Sequence, residues 1–399
     1  MQVTLAAMGG GCFDTLTKEG LDVLRQATCL IGARRLLQNL PDFCTSCRVT
    51  ATRPGDIVRA IEENGDKTCA VLFSGDTGFY SGARALIPQL TEKKIPYRLL
   101  PGLSSVQIFA AAIHRSWQDW LLFSAHGTAA NAVGAVMQGK PAFFLTGGER
   151  SAASLCEQLV QAGLGTLPVT VGENLSYPSQ RIWQGTAEHG ARENFAPLSV
   201  LLLEPAPHVM HHTPGFPDSF FLRGDVPMTK REVRASILSI LSPKKDEILW
   251  DIGAGTGSVS VEMALQAFMG RTYAVECNEE ALTLIEKNRE KLGAWNLHVV
   301  KGKAPERLDT LETPDAVFIG GSKGNMEPIL SLIRTKNPKA RLCISAICIE
   351  TLYQAVRALE ENGWQAEVTQ ISVSRSRPAG SLHLMAAQNP VFLIAGVPV

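Results

Sequence analysis

The run Asp251-Ile252-Gly253-Ala254-Gly255-Thr256-Gly257 follows the apolar stretch EILW and precedes SVSVEMALQAF, whose apolar residues have helical spacing. Glycines at a strand-to-helix turn let the backbone pass close to a ligand and leave the first amides of the helix free to point at it. Nineteen residues after Gly257, TYAVE ends on Glu276, a carboxylate at the end of the next strand. An acidic side chain there can accept hydrogen bonds from ribose hydroxyls. That pairing accommodates a dinucleotide or S-adenosylmethionine (SAM), and two details favour SAM. Serine stands where a dinucleotide site carries its third glycine, and Asp251 repels a pyrophosphate but suits the cationic end of methionine.

The first half of the chain holds a second set of candidates. Ser74-Gly75-Asp76 closes the apolar run TCAVLF, where glycine permits close approach and Asp76 can hold a cationic or hydroxyl group. Ser104 and Ser105 follow Pro101-Gly102 and offer hydroxyls beside a helix start, either as ligand contacts or as N-caps. His126 follows WLLFSA and reads as a polar residue lining a cleft, with general-base action as the alternative. No catalytic triad is visible, and no metal site is expected. Cys44 and Cys47 form a CxxC with no second pair or nearby histidine, which reads as a loop. His208, His211 and His212 lie in PAPHVMHHTPGFP without carboxylates or cysteines at ligand spacing.

The elements that must position these residues alternate between apolar strands and amphipathic helices. VTLAAMG, TCAVLFSGD, PYRLLPG, WLLFSAHG and AFFLTGG read as strands running into glycine turns, with LTKEGLDVLRQA and YSGARALIPQL as helices. From Pro168 the strands VTVGEN, QRIWQGTAEH and LSVLLLEP are joined by turns. The prolines between 205 and 217 cannot continue a helix or a central strand, so residues 206–217 read as a linker between a domain over 1–205 and one over 218–399. In the second domain EILWDIG, TYAVEC, LHVVKG, DAVFIGG and RLCISAI alternate with helices, which predicts a parallel, doubly wound sheet. Two strand candidates close the chain.

Composition narrows the function classes. Lys plus Arg and Asp plus Glu both total 38, so no global field favours nucleic acid or an anionic membrane. No stretch reaches the ~18 uninterrupted apolar residues of a membrane span. The start, MQVTLAAMGGGC, has no basic region before its apolar run, and the nine cysteines are scattered rather than paired. These features suggest a cytoplasmic protein.

Several of these segments carry a resemblance. GFPDSFFLRGDVPMTKREVR, DIGAGTGSVSVEMA, KGKAPE, FIGGS, SAICIET and RPAGSLHLMAAQNPVFLI resemble the C15-methylating, decarboxylating domain family of cobalamin biosynthesis. SGDTGFYSGA, PGLSSVQ, LFSAHG, TGGERS and VGENLSYPSQRIWQGTAEH resemble the tetrapyrrole methylase family. The resemblance implies an α/β chain in which a two-lobed tetrapyrrole methylase domain precedes a Rossmann-like class I SAM methyltransferase domain. It implies one SAM per domain, held in the second by Thr229, the loop Gly253 to Gly257, Glu276 and Ala304. In the first it places SAM against Gly9, Gly10 and Gly11, Ser74, Gly75, Asp76, Phe79, Ser104 and Ser105. Two departures stand out: Gly9-Gly10 replaces the family's usual Gly-Pro step, and Lys303 replaces a usual acidic residue.

The implied reaction is methylation of a precorrin-6B-type or cobalt-precorrin tetrapyrrole at C5 and C15, with loss of CO2 from the ring C acetate to give precorrin-8. Tetrapyrrole meso carbons are themselves electron-rich, so the protein must chiefly orient the partners. Arginine forks suit the substrate carboxylates, and Arg231, Arg234, Arg375 and Arg377 are the candidates, with His126 in the first domain. The resemblance also implies a homo-oligomer. The rival readings are a methyltransferase with an unrelated first module, a NAD-dependent dehydrogenase and a silent scaffold.

Overall fold

The computed structural model describes residues 2–398 except 39, 42, 45, 66–67, 126–129 and 149. It divides into two compact units: Met1–Ala130, Lys140–Glu157 and Thr166–Glu204 form one, and Asn131–Gly139, Gln158–Gly165 and Pro205–Val399 the other.

The first unit contains two five-stranded sheets. Strands β1 (Gln2–Ala7), β2 (Cys29–Gly32), β3 (Cys47–Thr50), β4 (Thr68–Phe73) and β5 (Tyr97–Leu100) are all parallel, in the order β3-β2-β4-β1-β5. Successive side chains of a strand point to opposite faces. Val3, Leu5 and Ile31 therefore pack on Ile57, Ile61, Leu86 and Leu90, while Ala6, Leu30 and Leu72 pack on Val23, Leu24 and Leu36. Strands β2 and β3 and the helix Pro54–Glu63 occupy a stretch to which the sequence reading assigns no element. Cys44 is buried and Cys47 lies exposed at the start of β3, both as free thiols.

The second sheet of this unit comprises β6 (Leu121–Ser124), β7 (Ala142–Leu145), β8 (Pro168–Glu173), β9 (Arg181–Thr186) and β10 (Ser199–Leu203). Its order is β6-β7-β10-β8-β9, and only β6 and β7 run parallel. The turn-joined strands after Pro168 form its antiparallel side.

In the second unit β11 (Ile248–Ile252), β12 (Arg271–Glu276), β13 (Leu297–Lys301), β14 (Ala316–Ile319) and β15 (Arg341–Ala346) run parallel. Strands β16 (Trp364–Ile371) and β19 (Val391–Pro398) extend the sheet antiparallel, in the order β13-β12-β11-β14-β15-β19-β16. Four strands rather than two thus close the chain, because β17 (Ser374–Ala379) and β18 (Leu382–Ala387) pair with each other in a separate hairpin. Its side chains are almost all exposed, so no buried face leaves a period-two apolar signal. Residues 205–217 are irregular throughout. No helix among the described residues is long and apolar enough to cross a membrane.

One buried ion network anchors the start of this unit. Arg234 is fully buried; its Nε donates to Glu262 at 2.8 Å, its Nη1 to Asp218 at 2.9 Å and to Thr229 O, and its Nη2 to Phe216 O. Glu262 also accepts the amides of Gly215 and Phe216. Arg234 is therefore not a substrate residue, because its guanidinium has no exposed donor and serves to pin the segment around Phe216 to two helices. Arg375 is likewise committed, donating to Asp218 at 3.1 Å and to Glu232 at 2.5 Å. Removing one partner of such a buried pair strands the other charge, at a cost of about 3–5 kcal/mol. Arg234→Met should lower urea-unfolding stability by that amount, and adding Glu262→Gln should recover part of it. An Arg234→Met protein of unchanged stability would show that the network is not structural.

Candidate functional site

In a parallel sheet the loops leaving the carboxyl ends of the strands share one edge, where ligands of such folds sit. In the second unit that edge is built on three left-handed glycines, Gly253 (φ +73°), Gly255 (φ +55°) and Gly257 (φ +74°). Each has its own neighbour. A Cβ on Gly253 would stand 2.6 Å from Gly321 O, one on Gly255 3.1 Å from Pro227 O, and one on Gly257 3.0 Å from the Ile285 side chain. The loop is therefore wedged between the turn after β14, the segment before Thr229 and the helix Glu279–Leu292.

Glu276 closes the loop from the neighbouring strand. Its Oε2 accepts the Gly255 amide at 3.0 Å, and its Oε1 accepts those of Cys277 and Asn278 at 2.7 and 2.9 Å. A carboxylate has about four acceptor positions, so Oε2 is the freer oxygen for a ligand hydroxyl.

A cavity of ≈ 650 Å³ opens on this edge. It brings together six of the residues expected from sequence: Thr229, Gly253, Ala254, Gly255, Glu276 and Ala304. Asp251, Thr256 and Gly257 do not line it, and neither do Arg231, Arg375 and Arg377. Asp251 is fully buried and accepts a hydrogen bond from Ser260 Oγ, while its Oδ1 has no partner among the described residues. Direct contact with a methionine ammonium is excluded by that position. Thr256 is buried as well, and its carbonyl accepts from Asn288 Nδ2 at 2.9 Å.

The cavity wall also includes Lys303, the departure at the family's usual acidic position, and residues the sequence reading missed: Lys323, Ser345, Ile347, Gln388 and Asn389. Lys323 Nζ lies 2.9 Å from Cys277 Sγ. The signal that could have found Lys323, Ser345 and Ile347 is their place at the carboxyl ends of β14 and β15, the same edge as the glycine loop.

The first unit brings its loops together in a comparable way. Gly9 and Gly75 exchange backbone hydrogen bonds of 3.1 and 2.8 Å, and a Cβ on Gly102 would stand 2.6 Å from Ala7 Cβ and 3.0 Å from Gly75 O. Asp76 ties the turns after β4 and β5, accepting the Gly78 amide at 2.7 Å and the Gly102 amide at 3.0 Å. Both its oxygens are thus engaged by backbone. Ser104 forms a capping box with Gln107 and is buried, which makes it an N-cap, and Ser105 opens the helix that follows. Phe79 packs on Tyr80 and Phe143. Gly10 and Gly11 sit in the turn after β1, and Ser74 Oγ accepts from Arg35. His126 lies outside the described residues. Among those described, no group of three or more His, Cys, Asp or Glu is placed to hold a metal ion.

Two family models match the chain, one described as tetrapyrrole (corrin/porphyrin) methylases over residues 2–190 and one as a precorrin methyltransferase domain over 219–396. A probable cobalt-precorrin-6B C(15)-methyltransferase (decarboxylating) of Pyrobaculum calidifontis is 44% identical over 185 residues, which is 46% of this chain and 95% of that protein. A precorrin-6Y C(5,15)-methyltransferase (decarboxylating) of Sinorhizobium is 28% identical over 387 residues, 95% of this chain and 92% of its own. A solved precorrin-6Y C5,15-methyltransferase of Geobacter metallireducens is 35% identical, covers 47% of this chain and 100% of that one, and superposes with a TM-score of 0.45. The matches define a two-part enzyme of the corrin methyltransferase class. The chain belongs to the precorrin-6Y C5,15-methyltransferase (decarboxylating) family.

Burial pushes the Asp251 carboxyl up to about 7, against the opposing hydrogen bond from Ser260. The folded protein thus holds this proton where the unfolded chain, near 3.8, has lost it. The stability it contributes is complete below the unfolded value and is lost as pH rises through the folded one. In SAM-free protein, urea titrations between pH 4 and 7 should show stability falling with pH, and Asp251→Asn should flatten that slope. An unchanged slope in the variant would place the titrating group elsewhere.

Proposed function

We propose that the chain methylates a precorrin-6B-type tetrapyrrole at C5 and C15 with SAM as methyl donor, releases CO2 from the ring C acetate, and binds one SAM in each unit. The observation that carries this reading is the match along 95% of the chain to a relative named for both methylations and the decarboxylation. The cavity of the second unit supports it. The backbone turn around Gly255 and the single acidic strand-end residue Glu276 suit a ribose, and Ser258, standing where a dinucleotide site carries the last glycine of its pattern, suits a ligand without pyrophosphate.

On this reading 1–205 is the C5-methylating tetrapyrrole methylase domain and 218–399 a Rossmann-like class I methyltransferase domain acting at C15, joined by 206–217. When bound, SAM supplies an electrophilic methyl group. The chain's own residues do the positioning: Glu276 orients the ribose, the loop Gly253 to Gly255 admits the ligand against bare backbone, and the cavity wall excludes water. Orientation of this kind can contribute ~7–11 kcal/mol to a transfer step. Loss of CO2 sends an electron pair into the conjugated macrocycle, and the acetate carbon then takes a proton. The macrocycle is thus its own electron sink.

Two units are needed because C5 and C15 lie on opposite sides of the macrocycle, and one pose cannot align both. Glu276→Ala should slow C15 methylation and CO2 release together while C5 methylation persists, losing about 1.5–3 kcal/mol for a charge-assisted contact. Asp76→Ala unties two turns of the first unit and should yield decarboxylated product lacking the C5 methyl. Product masses with labelled methyl and labelled acetate carbon decide it. CO2 loss that follows Asp76 rather than Glu276 would reverse the division of labour.

A further inference from the structure

The loop between β8 and β9 holds two non-glycine residues in the left-handed region, Asn174 (φ +47°) and Ser176 (φ +69°). Backbone of this kind persists where its surroundings fix it, and it concentrates at functional sites. Here it presses two hydroxyls onto the opening glycine turn: a Cβ on Gly10 would collide with Ser176 Oγ, and one on Gly11 with Tyr177 Oη.

Arg35 reaches the same place from the helix Arg34–Gln38, which follows β2. Its Nη1 donates to Tyr177 Oη at 2.7 Å and its Nη2 to Ser74 Oγ at 3.1 Å. The two partners are neutral, and Arg35 makes no ion pair among the described residues. This contrasts with Arg234 and Arg375, whose forks are filled by carboxylates of the chain. Ser176 Oγ is buried with no partner among the described residues. A guanidinium held across two hydroxyls, beside a third left unsatisfied, is organised for an anion with several acceptor positions, and a carboxylate matches its fork.

We propose that Arg35, framed by Ser74, Ser176 and Tyr177, is a carboxylate-binding residue at the methyl-transfer site of the first unit. The inference rests on the reading of that unit as the C5-methylating half. Two ligands present this chemistry, the acetate and propionate side chains of the tetrapyrrole and the methionyl end of SAM. Neutral hydroxyls hold the fork in place until either arrives.

The test uses the full chain with Arg35→Gln, Arg35→Lys and Tyr177→Phe, each checked for an unchanged melting profile. KM and kcat for C5 methylation of precorrin-6B are measured, with S-adenosylhomocysteine affinity read in a Glu276→Ala background that weakens the other site. Arg35→Gln should raise the KM for precorrin-6B about 10- to 100-fold, as loss of a charge-assisted pair does, with kcat little changed. Arg35→Lys should recover part of the loss, and Tyr177→Phe should cost less. A comparable fall in S-adenosylhomocysteine affinity with unchanged KM would assign the carboxylate to the cofactor. Folded Arg35→Gln protein with both quantities unchanged overturns the proposal, as does an equal loss of melting temperature in the Gln and Lys variants with no change in binding. If the unaltered chain makes no C5 methyl, the functional reading has failed, and the affinity arm alone still decides Arg35.

Discussion

Backbone meeting backbone at the carboxyl edge of a parallel sheet is the contact on which the rest of each unit depends. Parallel strands deliver their loops to one edge, and those loops can converge only where no Cβ intervenes. In the second unit Gly253 lies against Gly321, and in the first Gly9, Gly75 and Gly102 meet around Ala7. Two sheets of different strand order have met the same requirement. Once the loops touch, a single carboxylate locks each arrangement through backbone amides: Glu276 in one and Asp76 in the other.

Buried charge is handled in two ways within the second unit. Glu262 meets a cation, Arg234, and two amides, so its charge is compensated where it lies. Asp251 meets a hydroxyl and no cation, and burial holds it near neutrality at the base of the glycine loop. The first arrangement fixes the segment that leads to Thr229; the second leaves a proton-sensitive group behind the cavity. Arginine chemistry divides similarly, since Arg234 and Arg375 hold the fold while Arg35 presents its fork to neutral oxygens.

Much of this was legible in the sequence because it is local. The turn from Gly253 and the strand-end Glu276 are written in local sequence, and the cavity gathers Gly253, Ala254, Gly255 and Glu276 with Thr229 and Ala304. Side-chain direction was less legible. Asp251 belongs to the motif by position, yet the strand turns it away from the cavity, and Arg234 looks like any helix-surface arginine until Glu262 and Asp218 arrive from distant segments. Ser104 could be read as a ligand contact or as a cap; Gln107, three residues on, makes it a cap. Lys323 and Arg35 carry no motif at all, because their places are set by long-range strand order. The hairpin of β17 and β18 was invisible for a different reason: it buries neither face.

The central claim is that each unit binds its own cofactor. Calorimetric titration of the full chain with S-adenosylhomocysteine tests it most directly, alongside Gly255→Arg, which fills the second unit's loop where a Cβ already approaches Pro227 O. Two sites per chain, reduced to one in the variant, are the predicted result. One site in the unaltered chain, or one that survives Gly255→Arg without loss of stoichiometry, would contradict the account.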